Sequence, residues 1–145
     1  MKYLKLFEDF NDYDPYELMI TPPNKKGEML IDEIRKPEPN LNLVSDLIVL
    51  GANVDWQDNV GSTALHWCAY ENRSEIARML IDAGADVNIQ EEFGLTALHW
   101  CAYKNLPEIL RMLLDAGADV NIQNEKGKRP YEVARTQELK KLLQP

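Results

Sequence analysis

Residues 58–90 read DNVGSTALHWCAYENRSEIARMLIDAGADVNIQ, and residues 91–123 read EEFGLTALHWCAYKNLPEILRMLLDAGADVNIQ. The two blocks are equal in length and differ at nine positions, so 24 of the 33 aligned pairs are identical. Self-similarity at a fixed period is typical of repeat architectures and outweighs any purely local pattern. The sequence is therefore organised around a 33-residue unit.

The same period continues beyond the two matching blocks. Six of the seven glycines lie on two ladders with this period, namely Gly51, Gly84 and Gly117, and Gly61, Gly94 and Gly127. Partial, more divergent copies of the unit lie upstream of residue 58 and downstream of residue 123. We therefore predict four units, of which the first and last are atypical.

Each unit carries the signals for two short helices. Thr63 precedes the first helix as an N-cap, and Asn72 tolerates the left-handed conformation that ends a helix. Ser74 begins a second amphipathic helix, which Gly84 ends. The polar, turn-rich residues that follow favour an extended, hairpin-like connection to the next unit. The second block repeats this pattern one period further on.

A pair of short helices cannot bury its apolar faces alone, so the units are expected to stack into a solenoid. The motif TALHWCA, followed by GADVN at a period of 33, resembles the ankyrin repeat, whose hallmark is T-P-L-H-x-A. The resemblance covers residues 25–145 and is most specific in 58–123. It departs from the family at Ala64 and Ala97, where proline is usual, and the first unit lacks the motif.

The resemblance implies an all-α solenoid of ankyrin repeats, each a helix-turn-helix plus a β-hairpin loop. Two full repeats would be flanked by N- and C-terminal capping repeats. We predict an N-terminal extension at 1–23 and a repeat domain at 24–145, the latter divided into a cap at 25–57, repeats at 58–90 and 91–123, and a cap at 124–145.

The N-terminal extension has a helical pattern of its own. Tyr3, Leu6, Phe7 and Phe10 recur at helical spacing, which predicts a short amphipathic helix. The extension either seals the apolar side of the first unit or binds a partner. We favour the seal, because terminal repeats need covering.

Composition narrows the class of protein. The chain has 145 residues, of which 45% are hydrophobic, and this suits one domain with a core. Its net charge of −8 argues against nucleic acid and anionic membranes as partners. No apolar run approaches the ~18 residues of a membrane span, and no secretory signal is apparent. Two cysteines fit a reducing compartment. We expect a cytoplasmic protein.

Two histidines and two cysteines raise the question of a metal site. His66 and Cys68 are two residues apart on a helix and therefore point about 200° apart, as do His99 and Cys101. The resemblance implies instead that each histidine is structural and hydrogen-bonds across repeats. We find no combination of nucleophile and general base. We therefore predict no metal, no cofactor and no enzymatic activity.

The mismatches between the two blocks indicate where a partner would bind. Positions that differ between near-identical units are not needed for stacking and are free for recognition. The alternative is that these residues are merely exposed to solvent and vary without a function. In ankyrin proteins the hairpin tips and first helices contact partners. The predicted binding residues are Asn59, Val60, Ser62, Tyr70, Glu71, Glu92, Phe93, Leu95, Tyr103 and Lys104.

The three tryptophans are predicted to be mainly structural. Trp67 and Trp100 stand where the family usually has leucine, so we expect them largely in the core, with one ring edge possible at the groove. Trp56 aligns with Ile89 and is expected to pack against the next unit.

The resulting functional hypothesis is a protein–protein interaction module that acts as an adaptor or as an occluding inhibitor. The alternative is a structural or assembly protein that self-associates through repeat end faces. We expect a monomer whose partner is another protein, with no nucleic acid and no membrane involved.

Overall fold

The computed structural model describes residues 13–145, and within that range the secondary structure is entirely helical. The predicted amphipathic helix around Tyr3–Phe10 lies outside the described residues. The helices are α1 Pro15–Ile20, α2 Pro23–Ile34, α3 Leu41–Val49, α4 Ala64–Glu71, α5 Ser74–Asp82, α6 Ala97–Lys104, α7 Pro107–Asp115, α8 Pro130–Val133 and α9 Gln137–Leu142.

The helix boundaries in the two regular units confirm the predicted caps. Thr63 and Thr96 are the N-caps of α4 and α6, each with a histidine three residues later that closes a capping box. Asn72 and Asn105 end the same helices in the left-handed conformation, with φ of 55° and 59°. Local sequence rules therefore determine where these helices begin and end.

The helices stack in two rows, which confirms the predicted all-α solenoid. The first helices of successive units, α2, α4, α6 and α8, pack side by side, and the second helices α3, α5 and α7 form a parallel row behind them. A continuous apolar core lies between the rows, because each helix turns its buried face toward its partner and its neighbours.

The connections between units are hairpin-like turns without β-strands in the described residues. In one connection the amide of Asp58 donates to the carbonyl of Ser62, and that of Gly61 donates to Asp58. Neighbouring connections are joined at their tips by backbone bonds, from the amide of Glu92 to the carbonyl of Val60 and from that of Glu125 to the carbonyl of Phe93. The pairing is too short for a regular strand, although it holds the loops in register.

Both ends of the stack are covered by their own residues. At the N-terminal end, Leu18 of α1 is buried in the core, and the hydroxyl of Tyr13 donates to Asp46 at 2.5 Å. At the C-terminal end, Leu139 and Leu143 are fully buried. Among residues 13–145, no helix has the length and apolar character needed to cross a membrane.

Trp56 packs closely against helix α2 of its own unit, while its predicted contact with the next unit stays a prediction. A Cβ added to Gly27 of α2 would lie 2.6 Å from both the Cβ of Trp56 and the carbonyl oxygen of Asn53. Gly27 is the one glycine outside the two periodic ladders. Its lack of a side chain lets the 53–56 segment approach the helix closely.

Candidate binding groove

A groove runs between the loop tips and the row of first helices. It consists of three adjoining cavities of about 350, 280 and 790 Å³, and Leu95 lines all three. The first cavity lies between the two regular units, and the last reaches the terminal unit. The residues that line the groove are Val60, Ser62, His66, Trp67, Tyr70, Glu91, Glu92, Phe93, Leu95, His99, Trp100, Tyr103, Asn124, Glu125, Lys126, Lys128, Glu132, Val133 and Arg135.

Four aromatic rings form a continuous ladder along the floor of the groove. The ring centroids of Trp67 and Tyr70 are 5.6 Å apart, those of Tyr70 and Trp100 5.4 Å, and those of Trp100 and Tyr103 6.5 Å. Each pair meets edge to face, with interplanar angles of 74° to 86°. This geometry is favourable for aromatic quadrupoles and holds the rings in fixed positions.

Three cations lie over the faces of the ladder. They are Arg35 at 4.4 Å from the centroid of Trp67, Lys104 at 4.2 Å from that of Tyr70, and Arg135 at 4.3 Å from that of Tyr103. The ammonium of Lys104 also donates to the carbonyl of Tyr70 in the preceding unit. Cation–π contacts of this kind stabilise the ring positions and bring positive charge to the groove.

The two indole groups of the ladder differ in their hydrogen bonds. Trp67 donates through Nε1 to Asp58 Oδ2 at 2.8 Å, whereas the indole of Trp100 meets no acceptor in residues 13–145. The equivalent acid, Glu91, uses Oε1 to accept from the amides of Phe93 and Leu95, both at 2.9 Å. Trp100 therefore offers the groove a free N–H donor.

The structure brings most of the predicted binding residues to this groove. Seven of the ten line it, namely Val60, Ser62, Tyr70, Glu92, Phe93, Leu95 and Tyr103. Lys104 lies on the ring of Tyr70, while Asn59 and Glu71 do not line any of the three cavities. Ser62 is buried, and its backbone carbonyl accepts a hydrogen bond from the amide of Asp58 across the turn.

Sequence reasoning missed several residues of the groove. Trp67 and Trp100 are partly buried and pack against the core, as expected, but sequence reasoning did not foresee that together with Tyr70 and Tyr103 they form the ladder. Val133 and Arg135 of the last unit were not singled out. Val133 lies one full period after Trp100, so the repeat itself was the signal that could have located it.

The histidines have the structural role implied by the resemblance. His66 accepts from the amide of Thr63 at Nδ1, and its Nε2 lies 3.0 Å from the carbonyl oxygen of Leu95 in the next unit. His99 repeats this arrangement toward Lys128. Burial lowers the pKa of both imidazoles, which favours the neutral ring.

Both cysteines are buried and free. Burial raises the pKa of the Cys68 thiol well above its usual range, and that of Cys101 to about 12. Each thiol therefore packs as a small apolar group. Within the described part of the chain, no cluster of three or more His, Cys, Asp or Glu side chains could hold a metal ion.

The family model for ankyrin repeats, in three copies, matches residues 34–124, which is more than half of the chain. The protein therefore belongs to the ankyrin-repeat family. A search of the curated proteins found no match for this chain. Ankyrin repeats are protein–protein interaction modules.

Proposed function

We propose that this protein binds a partner protein in the groove and acts as an adaptor or as an occluding inhibitor. The observation that carries the proposal is the ladder of four rings, which is continuous across two units and whose two tyrosines are about half exposed. A cluster of exposed aromatic side chains of this kind is typical of an interaction site.

Three aromatic side chains are the natural anchors of such an interface. Phe93 at the loop tip is 56% exposed, and Tyr103 and Tyr70 on the first helices are 50% and 46% exposed. Aromatic residues bury much apolar area while losing few rotamers, and they dominate binding hot spots. Glu92 at the rim would influence encounter and orientation more than affinity.

The experiment is affinity purification from the native host with three forms of the chain, followed by titration calorimetry with the recovered partner. The forms are the wild type, Phe93→Ala/Tyr103→Ala, and a control, Glu75→Ala/Arg78→Ala, on the second-helix row. The groove variant should lose about 2 kcal/mol or more of binding free energy and keep its helical content. A partner that binds the groove variant normally and the control weakly would contradict the proposal.

Self-association through an end face is the second candidate. Met19 and Ile20 of α1 are exposed apolar residues at the N-terminal end of the stack, and they are the observation in its favour. Size-exclusion chromatography with light scattering over a range of concentrations separates the two. We expect a monomer, whereas oligomers that dissociate on dilution would favour assembly.

A further inference from the structure

The groove is basic where it reaches the terminal unit. Lys126, Lys128 and Arg135 line its widest cavity, and none of them forms an ion pair in residues 13–145. Of the two acids in that lining, Glu132 is already neutralised by Arg129 at 2.9 Å, which leaves Glu125. This concentration of positive charge stands out on a chain whose net charge is −8.

Arg135 is held in a geometry suited to a carboxylate. Its guanidinium lies 4.3 Å from the centroid of the Tyr103 ring, and its N–H groups have no hydrogen-bond partner among the described residues. Contact with the ring limits the rotamers of the side chain before any partner arrives. A guanidinium presents a planar fork that matches the two oxygens of a carboxylate, which a lysine ammonium cannot do.

An apolar pocket adjoins the basic cavity. It has a volume of about 280 Å³ and is lined by Leu95, His99, Trp100, Tyr103 and Val133. Three of these residues, Leu95, Tyr103 and Val133, also line the basic cavity, so the two are continuous. The pocket has room for one large apolar side chain. Trp100, whose indole N–H meets no acceptor in residues 13–145, lines both this pocket and the first cavity.

The opposite end of the groove carries both signs of charge. Glu91 and Glu92 line the first cavity, while Arg35 lies over the ring of Trp67 and Lys104 over that of Tyr70, and both rings also line it. Lys126, Lys128 and Arg135 line only the cavity at the terminal unit. A carboxylate on the partner is therefore favoured most at the terminal unit.

We propose that the partner presents an extended acidic peptide segment to this groove. A large apolar side chain enters the pocket beside Trp100, and an Asp or Glu a few residues away pairs with Arg135, supported by Lys126 and Lys128. This inference rests on the proposed function and specifies the chemistry of the partner.

The test is selection of 12-residue peptides from a random display library on the immobilised full chain. Parallel selections use Arg135→Glu and a control, Lys141→Glu, which makes the same charge change at an exposed residue outside the groove lining. Wild type and control should enrich peptides with a large apolar residue near Asp or Glu. The Arg135→Glu selection should lose the acidic preference.

Affinities of an enriched synthetic peptide, measured by fluorescence anisotropy, make the test quantitative. Arg135→Glu should bind about tenfold more weakly than the wild type, and Arg135→Lys should be intermediate because it retains charge without the fork. The effect of Arg135→Glu should shrink as ionic strength rises. Equal affinities for the wild type and Arg135→Glu would overturn the inference.

Phe93→Ala separates this inference from the proposed function. Enriched peptides that lack acids but lose affinity for Phe93→Ala would overturn the acidic-segment inference and leave the groove as the binding site. Peptides that are indifferent to both Phe93→Ala and Arg135→Glu would overturn both. The affinity of a 12-nucleotide oligo-dT is measured in the same way. If it binds more tightly than any peptide and Arg135→Glu abolishes its binding, the basic cavity is a nucleic-acid site and the inference is overturned.

Discussion

At the scale of single residues, small differences between near-identical units have large effects on what the groove offers. Asp58 accepts the indole N–H of Trp67, whereas Glu91, at the equivalent position, leaves the N–H of Trp100 free. Both acids still cap their turns through one carboxylate oxygen. The repeat thus keeps its structural bonds while the indole N–H of Trp100 has no acceptor among the described residues.

Gly27 is a position where one added methyl group should be harmful. In Gly27→Ala the new Cβ would lie 2.6 Å from the carbonyl oxygen of Asn53 and from the Cβ of Trp56. Alanine is favoured over glycine within a helix by about 1 kcal/mol, so an uncrowded site would gain stability. We expect the free energy of unfolding in urea to fall instead, by about 1–3 kcal/mol. A gain would contradict the close contact.

The buried histidines should make stability depend on pH. Burial lowers the pKa of His66 and His99 below the ordinary value of 6.5, so the unfolded chain takes up protons at a higher pH than the folded one. The free energy of unfolding should therefore fall as the pH drops below that value. Urea unfolding at about pH 7.5 and about pH 5.5 measures the loss.

His99→Gln provides the comparison, because it removes one of the two titrating groups. The variant is expected to be less stable at both pH values, since glutamine does not reproduce the bonds to Thr96 and Lys128. Its loss of stability between the two pH values should nevertheless be smaller than that of the wild type. Equal losses would show that the histidines do not carry the pH dependence.

At the scale of helices and loops, the two regular units could be predicted almost completely from sequence. Thr63 acts through the capping box with His66, and Asn72 through its left-handed backbone, both of which a sequence displays directly. The position of Trp56 could not be predicted in this way, because it depends on how closely the 53–56 segment approaches Gly27. Contacts between segments are not encoded in a repeat period.

The candidate site was predictable to a similar extent. Mismatches between the two blocks located Phe93 and Leu95, because these positions are freed from stacking. Arg135 was not predicted from the sequence, because the last unit has lost the motif. The side chain of Arg135 is positioned by the ring of Tyr103 in the preceding unit. A residue that acts through the neighbouring repeat is visible only once the repeats are stacked.

Helix α1 should contribute to stability through one side chain. Leu18 is 2% exposed and lies in the core, whereas Ile20 on the same helix is 83% exposed. Leu18→Ala should lower the free energy of unfolding by about 2 kcal/mol or more. Ile20→Ala, as a control, should change it by no more than about 0.5 kcal/mol. Similar small effects of both changes would argue against a sealing role for this segment.

At the scale of the whole molecule, the charge is distributed unevenly along the stack. The last unit, residues 124–145, contains six basic and three acidic residues, a balance of +3, so the remaining residues 1–123 carry −11. A solenoid keeps this separation in space, because each unit contacts only its neighbours. For a protein partner that binds in the groove, we expect this asymmetry to make association sensitive to salt.

The most direct test of the groove as the binding surface uses the three tryptophans. Trp67 and Trp100 line the groove, whereas Trp56 packs against Gly27 and lines none of its cavities. The measurement is the NMR spectrum of the indole N–H groups in the ¹⁵N-labelled chain, free and bound to its partner. We predict that the signals of Trp67 and Trp100 shift, with Trp100 the more affected, while Trp56 stays in place. A shift of Trp56 alone would contradict the groove as the binding surface.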